Sequence, residues 1–322
     1  MWRFIRNIAL YASVFLIALA GIGAAYQWYG SAQDSKSYAP VGKRYKVAGY
    51  NMHLYAAGKG NATVVFASGW GTANPYADFY PLYKRLEPYV KVAVYDRFGY
   101  GYSDTTGRKR DIELITDEIH DLLRVSGQKP PYIFVGHSLG SLEAIHYAQR
   151  FPEEVKAILL VDGGSPEYYA SRPPTTFIPI LYRAFRTTGA LRALYHADGF
   201  AEWVSDQSNG LKLLPDELKE LNRKATLLKA GNQDMTDEIR RSRTNAKKIL
   251  AGKKPLDIPI TVLTADYFGK LSDDKAWMDS EAALPSWSVS GKQIIVPESS
   301  HYIHSYQPDL VVDELLKLAG TK

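Results

Sequence analysis

The residues best placed to do chemistry form one short run, Ile133-Phe134-Val135-Gly136-His137-Ser138-Leu139-Gly140, where an apolar stretch ends in G-H-S-L-G and passes directly into a helical pattern. A strand that turns straight into a helix leaves room only for a tight turn, so glycine is needed at Gly136 and Gly140 and the residue between is pushed outward. That residue is Ser138. Its hydroxyl is expected at the carboxyl edge of a sheet and at a helix N-terminus, where free backbone N–H groups favour a developing negative charge. A serine hydroxyl is a weak nucleophile at neutral pH. It needs a general base and, behind the base, a carboxylate that fixes the tautomer. The base has to arrive on another loop, and His301, just past the last strand pattern at 293–296, is expected at the same edge as Ser138. His304 shares that loop as the lesser candidate, while His137 should point away from its neighbour, as adjacent residues at such a turn do. Two carboxylates compete for the third position: Asp162, which closes the strand pattern at 155–161, and Asp266, which follows the one at 258–263. Glu298 is a remoter alternative.

The elements that must position these groups alternate. Apolar strand patterns at 63–67, 92–95, 133–135, 155–161, 258–263 and 293–296 are separated by helical patterns at 75–86, 110–126, 273–283 and 308–319. A hairpin around Gly49-Tyr50-Asn51 precedes them, at the edge of the sheet. Such alternation predicts an α/β fold with a mostly parallel sheet covered by helices on both faces. From about 163 to 255 the alternation lapses into helical stretches at 176–187, 215–230 and 234–250, so a helical insertion interrupts the sheet.

From about residue 43 to its end the chain resembles the α/β-hydrolase superfamily. Three segments carry the resemblance in order: D-R-F-G-Y-G-Y-S at Asp96 to Ser103, G-H-S-L-G at Gly136 to Gly140, and Ser300-His301-Tyr302-Ile303. The resemblance implies that Ser138 accepts the acyl group, that His301 is the base, and that the backbone N–H groups of Trp70 and Leu139 form an oxyanion hole. Two positions depart from the pattern: Ser68 stands where many relatives have histidine, and Ser300 where they have glycine before the catalytic histidine. The acid more commonly follows the later strand, which favours Asp266, but there a G-x-x spacer is usual and Asp266 comes about two residues early. Some relatives supply the acid from the position of Asp162, which is the preferred acid here, with Asp266 the alternative. Asp96 and Arg97 are expected to hold the loop beside the elbow. Residues 163–255 resemble the helical cap of these enzymes, with Tyr168, Tyr169, Phe177, Tyr182, Phe185 and Trp203 as candidate pocket lining. Serine as nucleophile argues against dehalogenase and epoxide hydrolase chemistry, which in this superfamily uses aspartate there.

The N-terminus is of another kind. Ile8 to Tyr26 are nineteen residues without a charge, about the thickness of a bilayer's hydrocarbon core in helical form. Arg3 and Arg6 precede the run and no charge follows until Asp34, which leaves the N-terminus cytoplasmic and the rest outside. A cleaved signal peptide competes with a retained anchor, but the apolar run exceeds the usual signal length. The expected organisation is thus an anchor at 1–30, a linker at 31–42 and a hydrolase domain at 43–322 with its cap at 163–255. The chain has no cysteine, which excludes disulfides, thiolate metal sites and a cysteine nucleophile, and its seven histidines show no H-E-x-x-H spacing. The net charge of +5 comes from scattered Lys and Arg, too thin for nucleic-acid binding. A membrane-anchored, extracytoplasmic serine hydrolase acting on a carboxylic ester of an apolar acyl group, with no metal or organic cofactor, is the leading expectation. Amide, thioester or carbon–carbon hydrolysis by the same triad, and a ligand-binding or signalling module of the same fold, are the alternatives.

Overall fold

The computed structural model describes residues 1–207, 213–269 and 275–321. Eight strands, β1 Lys43–Val47, β2 Tyr50–Gly58, β3 Thr63–Ala67, β4 Lys91–Asp96, β5 Tyr132–His137, β6 Val155–Val161, β7 Leu256–Ala265 and β8 Ser288–Val296, form one sheet in the order β1-β2-β4-β3-β5-β6-β7-β8. The first two make a hairpin turned at Ala48 and Gly49, both at positive φ, one residue earlier than the sequence suggests. β2 also runs antiparallel to β4, and every later neighbouring pair is parallel. Residues of β3 and β5 are buried throughout because helices cover both faces. Val65, Phe134 and Ile158 pack on one face with Leu142 and Ile145 of the helix that follows β5, and Phe66, Ile133 and Leu159 pack on the other with Leu315 of the closing helix. Each such side chain stabilises the fold by about 1.5–3 kcal/mol relative to exposure. Parallel strands end along one edge, which brings the loops after β3, β5, β6, β7 and β8 together.

Three elements differ from the sequence expectation. The helix predicted at 75–86 is two, Pro75–Asp78 and Tyr80–Leu86, because Pro81 lacks an N–H and its ring obstructs a continuous helix. The predicted helix at 273–283 is seen from Lys275 to Ala283, and its first two residues lie outside the described ones. The N-terminal helix runs without interruption over Trp2–Ser37, so residues 31–37, expected as linker, are its last two turns. They are helical because they are docked. Gln27 Nε2 donates to Leu227 O at 2.7 Å, Arg192 reaches Gln27 Oε1 at 3.0 Å and Asp34 Oδ2 at 2.8 Å, and Gly30 leaves room for the Arg192 guanidinium. The insertion between β6 and β7 comprises Pro166–Ser171, Phe177–Thr187, Ala190–Tyr195, Phe200–Gln207, Asp216–Lys229 and Gln233–Ala251.

Candidate active site

Ser138 follows β5 directly and sits at φ 51°, a left-handed conformation that a serine adopts only when its surroundings enforce it. The flanking glycines show what enforces it. A Cβ on Gly136 would lie 2.8 Å from Ser141 Cα, and one on Gly140 would lie 2.3 Å from Ala67 O, so neither position admits a side chain without moving backbone. The turn is pinned by Ser138 O, which accepts from Ser141 Oγ at 2.6 Å and from Gly164 N at 3.1 Å. Leu139 precedes the helix Gly140–Arg150 as its N-cap, where backbone N–H groups have no intrahelical acceptor.

His301 arrives on the loop after β8. Its Nδ1 donates to Asp162 Oδ2 at 2.6 Å, which leaves Nε2 as the proton acceptor. Asp162 is wholly buried, stands at φ 42°, and also accepts from Ala265 N at 3.0 Å and Tyr267 Oη at 2.7 Å. Asp266, the rival carboxylate, is turned elsewhere. It accepts from the backbone N–H groups of Phe268, Ser299 and Glu298, each at 3.0 Å, and these donors hold its carboxyl below the usual range. Asp266 thereby fastens the loop after β7 to the loop that carries His301. Ser138 and His301 line one cavity of ≈ 560 Å³ with Tyr168, Tyr169, Ile239 and Trp277. Among the described residues no hydrogen bond joins the Ser138 hydroxyl to the His301 ring, and such contacts commonly tighten only around substrate.

The loop after β3 lies against the elbow: a Cβ on Gly69 would come within 3.1 Å of Ser138 Cβ. Trp70 is thus beside the serine, and its indole Nε1 donates to Met235 O at 2.9 Å, tying this loop to the cap. The D-R motif holds it from below. Arg97, 1% exposed, donates to Ser68 O at 2.7 Å and Gly69 O at 2.9 Å, and its guanidinium pairs with Glu143 at 2.6 Å and Glu238 at 3.4 Å. Asp96 accepts from Tyr102 N at 2.8 Å and lies 2.8 Å from His53 Nδ1. Gly101 is required there because a Cβ would fall 2.1 Å from the Asp96 carboxylate.

His137 turns away from the serine. Its Nε2 donates to His301 O at 3.0 Å, so it supports the loop of the candidate base, and burial keeps its imidazole neutral by lowering its pKa well below the ordinary value. His304 is buried beneath, 3.3 Å from Asp78 Oδ2 and away from the cavity that Ser138 lines. Of the aromatic candidates, Tyr168 and Tyr169 line the Ser138 cavity, and Tyr182 and Trp203 line a second cavity that Trp70 also lines. Phe177 and Phe185 line neither and are exposed.

One residue of the site has no sequence signal. Glu281, in the helix Lys275–Ala283, is fully buried beside Asp162, and burial together with that neighbouring charge pushes its carboxyl well above the usual range. Its neutral form is therefore favoured over the charged one, which makes it a neutral wall for Asp162 rather than a second anion. Because the folded chain keeps a proton that the unfolded chain releases above about pH 4.3, this group lowers stability progressively as pH rises. Glu281→Gln should remove that dependence. Its melting temperature should exceed the parent's at pH 8 and the gap should close towards pH 5; a gap independent of pH would contradict the protonated state.

The match to a family model settles the kinship: residues 64–314 fit the model described as alpha/beta hydrolase family. The chain belongs to this family. It is 26% identical over 324 residues to an uncharacterized protein, YbdG, of Bacillus subtilis, covering 97% of this chain and 95% of that one. It is 25% identical over 281 residues to a pimeloyl-[acyl-carrier protein] methyl ester esterase of Vibrio vulnificus, covering 84% and 98%. Among solved structures, a thermophilic esterase from Thermogutta terrifontis superposes with a TM-score of 0.62 at 16% identity, over 86% of this chain and 98% of that one, a likeness of fold.

Proposed function

We propose that the protein is a membrane-anchored serine hydrolase that cleaves a carboxylic ester through an acyl-enzyme on Ser138. The contact that carries this reading is the 2.6 Å hydrogen bond from His301 Nδ1 to buried Asp162, at the same sheet edge as a serine strained outward. His301 Nε2 takes the Ser138 proton as Oγ attacks the ester carbonyl, and returns it to the departing alcohol. Asp162 fixes the tautomer and balances the imidazolium that forms. The N–H groups of Trp70 and Leu139 receive the oxyanion, each contributing on the order of 3–4 kcal/mol to the transition state. Water, activated by the same histidine, then releases the acid. The ester reading draws further support from the methyl ester esterase relative. The exposed helix Trp2–Ser37 is long and apolar enough to cross a bilayer, and in this reading it anchors the enzyme with Arg3 and Arg6 on the cytoplasmic side.

A fluorophosphonate probe tests both parts at once. The full chain should be labelled at Ser138, the Ser138→Ala variant should not, and the labelled protein should remain with membranes after a high-salt wash. Absence of labelling in the parent would favour a ligand-binding module of the same fold. Release of a labelled chain beginning near Tyr26 would replace the anchor by a cleaved signal.

A further inference from the structure

The cap helix Phe177–Thr187 presents an apolar face at the surface, with Pro179 as its buried residue. Phe177, Ile180, Leu181 and Phe185, at the i, i+3, i+4 and i+8 spacing of one helix face, are 65%, 58%, 51% and 40% exposed. Its two cations give donors to the chain beneath, Arg186 half-buried and Arg183 still exposed. Arg183 Nε donates to Gly231 O at 3.0 Å, and Arg186 donates to Ala230 O at 2.8 Å and Leu228 O at 3.3 Å, filling the open carbonyls at the C-terminal end of Asp216–Lys229. A surface helix in water ordinarily turns its apolar face to the core.

The position of this helix says what covers its apolar face. A Cβ on Gly23 would lie 2.0 Å from Thr188 O, and one on Gly189 would lie 2.3 Å from Gly23 O, so the N-terminal helix and the end of the cap helix touch backbone to backbone. Gly23 is inside the uncharged stretch Ile8 to Tyr26, about one helical turn from its outer end. If that stretch spans a bilayer, the face of Phe177–Thr187 is set at the level of the outer interface, where an amphipathic helix buries its apolar side among lipid chains.

Behind the helix is the second cavity, ≈ 450 Å³, lined by Tyr182, Tyr195, Phe200, Trp203, Trp70 and Tyr302 among others. Its lining runs from Trp203, 57% exposed, to Trp70, whose N–H is a candidate oxyanion donor, and Tyr302, which follows the candidate base. Trp70 thus lines the aromatic cavity while its neighbour Gly69 abuts Ser138. An ester has an acyl side and an alcohol side, and the two cavities provide for each.

We propose that helix Phe177–Thr187 lies in the outer leaflet and that the aromatic cavity behind it takes the acyl chain of a membrane lipid ester. This rests on the anchored-hydrolase reading and assigns its substrate class. The lipid's acyl C–O bond breaks, the acyl group passes to Ser138 Oγ, the lipid alcohol leaves with the proton held by His301, and water then releases the fatty acid.

The test uses the full chain reconstituted in phosphatidylcholine vesicles. Because the chain has no cysteine, Leu181→Cys provides a single site for an environment-sensitive fluorophore. Its emission should be quenched by a nitroxide-bearing lipid and spared by aqueous iodide; the reverse overturns membrane seating. In a second arm, hydrolysis of a fluorescent diacylglycerol in the same vesicles is compared with that of soluble p-nitrophenyl acetate. Ile180→Ser combined with Leu181→Ser should slow the vesicle reaction about tenfold or more while the soluble ester changes less than about twofold, as the loss of two buried aliphatic side chains requires. Equal losses on both substrates, or none, would overturn the proposal. A parent that cleaves p-nitrophenyl acetate but not the vesicle lipid overturns the lipid inference and leaves the hydrolase reading standing. A parent that cleaves neither and takes no fluorophosphonate overturns the hydrolase reading and the substrate assignment with it.

Discussion

Asp162→Asn should lower turnover of a soluble ester on the order of ten-thousandfold while the protein still folds, and Asp266→Asn should leave turnover within about tenfold of the parent. An asparagine amide in place of the buried carboxylate can offer its N–H to His301 Nδ1, and the ring then carries its proton on the nitrogen needed for Ser138. The substitution also removes the balance for an imidazolium, since Asp162 Oδ2 is the atom 2.6 Å from the ring. Asp266 has a different duty. Its three backbone donors tie the loops after β7 and β8, so Asp266→Asn, which loses a charge-assisted acceptor, should cost stability of roughly 1–3 kcal/mol and mainly raise the thermal sensitivity of activity. Kinetics at low temperature with a denaturation midpoint for each variant separates the two. A large loss of turnover in Asp266→Asn with an unchanged midpoint would mean that the acid has been assigned to the wrong loop.

The same pair shows where the sequence runs out. Ser138 and His301 were legible because each is marked by order along the chain: a strand, a glycine-bounded serine, a helix, and much later a histidine after the final strand. The carboxylate was legible only as a preference for Asp162 over Asp266, because β6 and β7 are neighbours and each is followed by an aspartate at the same edge. What separates them is backbone direction: the φ of 42° at Asp162 and the backbone donors around Asp266 are properties of folded loops. Glu281 carries no signal because its role depends on packing beside Asp162, and the helix that holds it shows no distinctive spacing. Similarly, the composition of residues 31–37 is that of a linker, and the contacts that make them a docked helix, Arg192 and Arg223 on Asp34, come from the distant insertion. Periodicity found the helix Phe177–Thr187 but not its orientation: Phe177 and Phe185 were candidates for pocket lining by resemblance to a helical cap, or for the cap's own core. The carbonyls that accept from Arg183 and Arg186 belong to residues some forty positions away.

Arg97→Met should destabilise the fold by about 3–5 kcal/mol, the effect expected when one partner of a buried ionic group is removed. The guanidinium is the cation shared by Glu143 and Glu238, both nearly fully buried, and Tyr95 donates to Glu143 from the adjoining strand. Methionine fills much of the same volume but leaves these carboxyls without a counter-charge, so they must ionise at a cost or take up protons. Burial already raises the Glu238 carboxyl above its usual range even with Arg97 present. Converting Glu143 and Glu238 to glutamine in the Arg97→Met background should therefore recover part of the loss, because no buried charge then remains to be offset. Activity should not recover with it. The carbonyls of Ser68 and Gly69 would still lack the two donors that set the loop beside Ser138, and a misplaced Trp70 N–H lowers kcat more than it changes KM. Thermal unfolding in detergent gives the first quantity and steady-state kinetics on a soluble ester the second. Full recovery of both in the triple variant would mean that Arg97 acts only through its charge and has no part in shaping the candidate oxyanion loop.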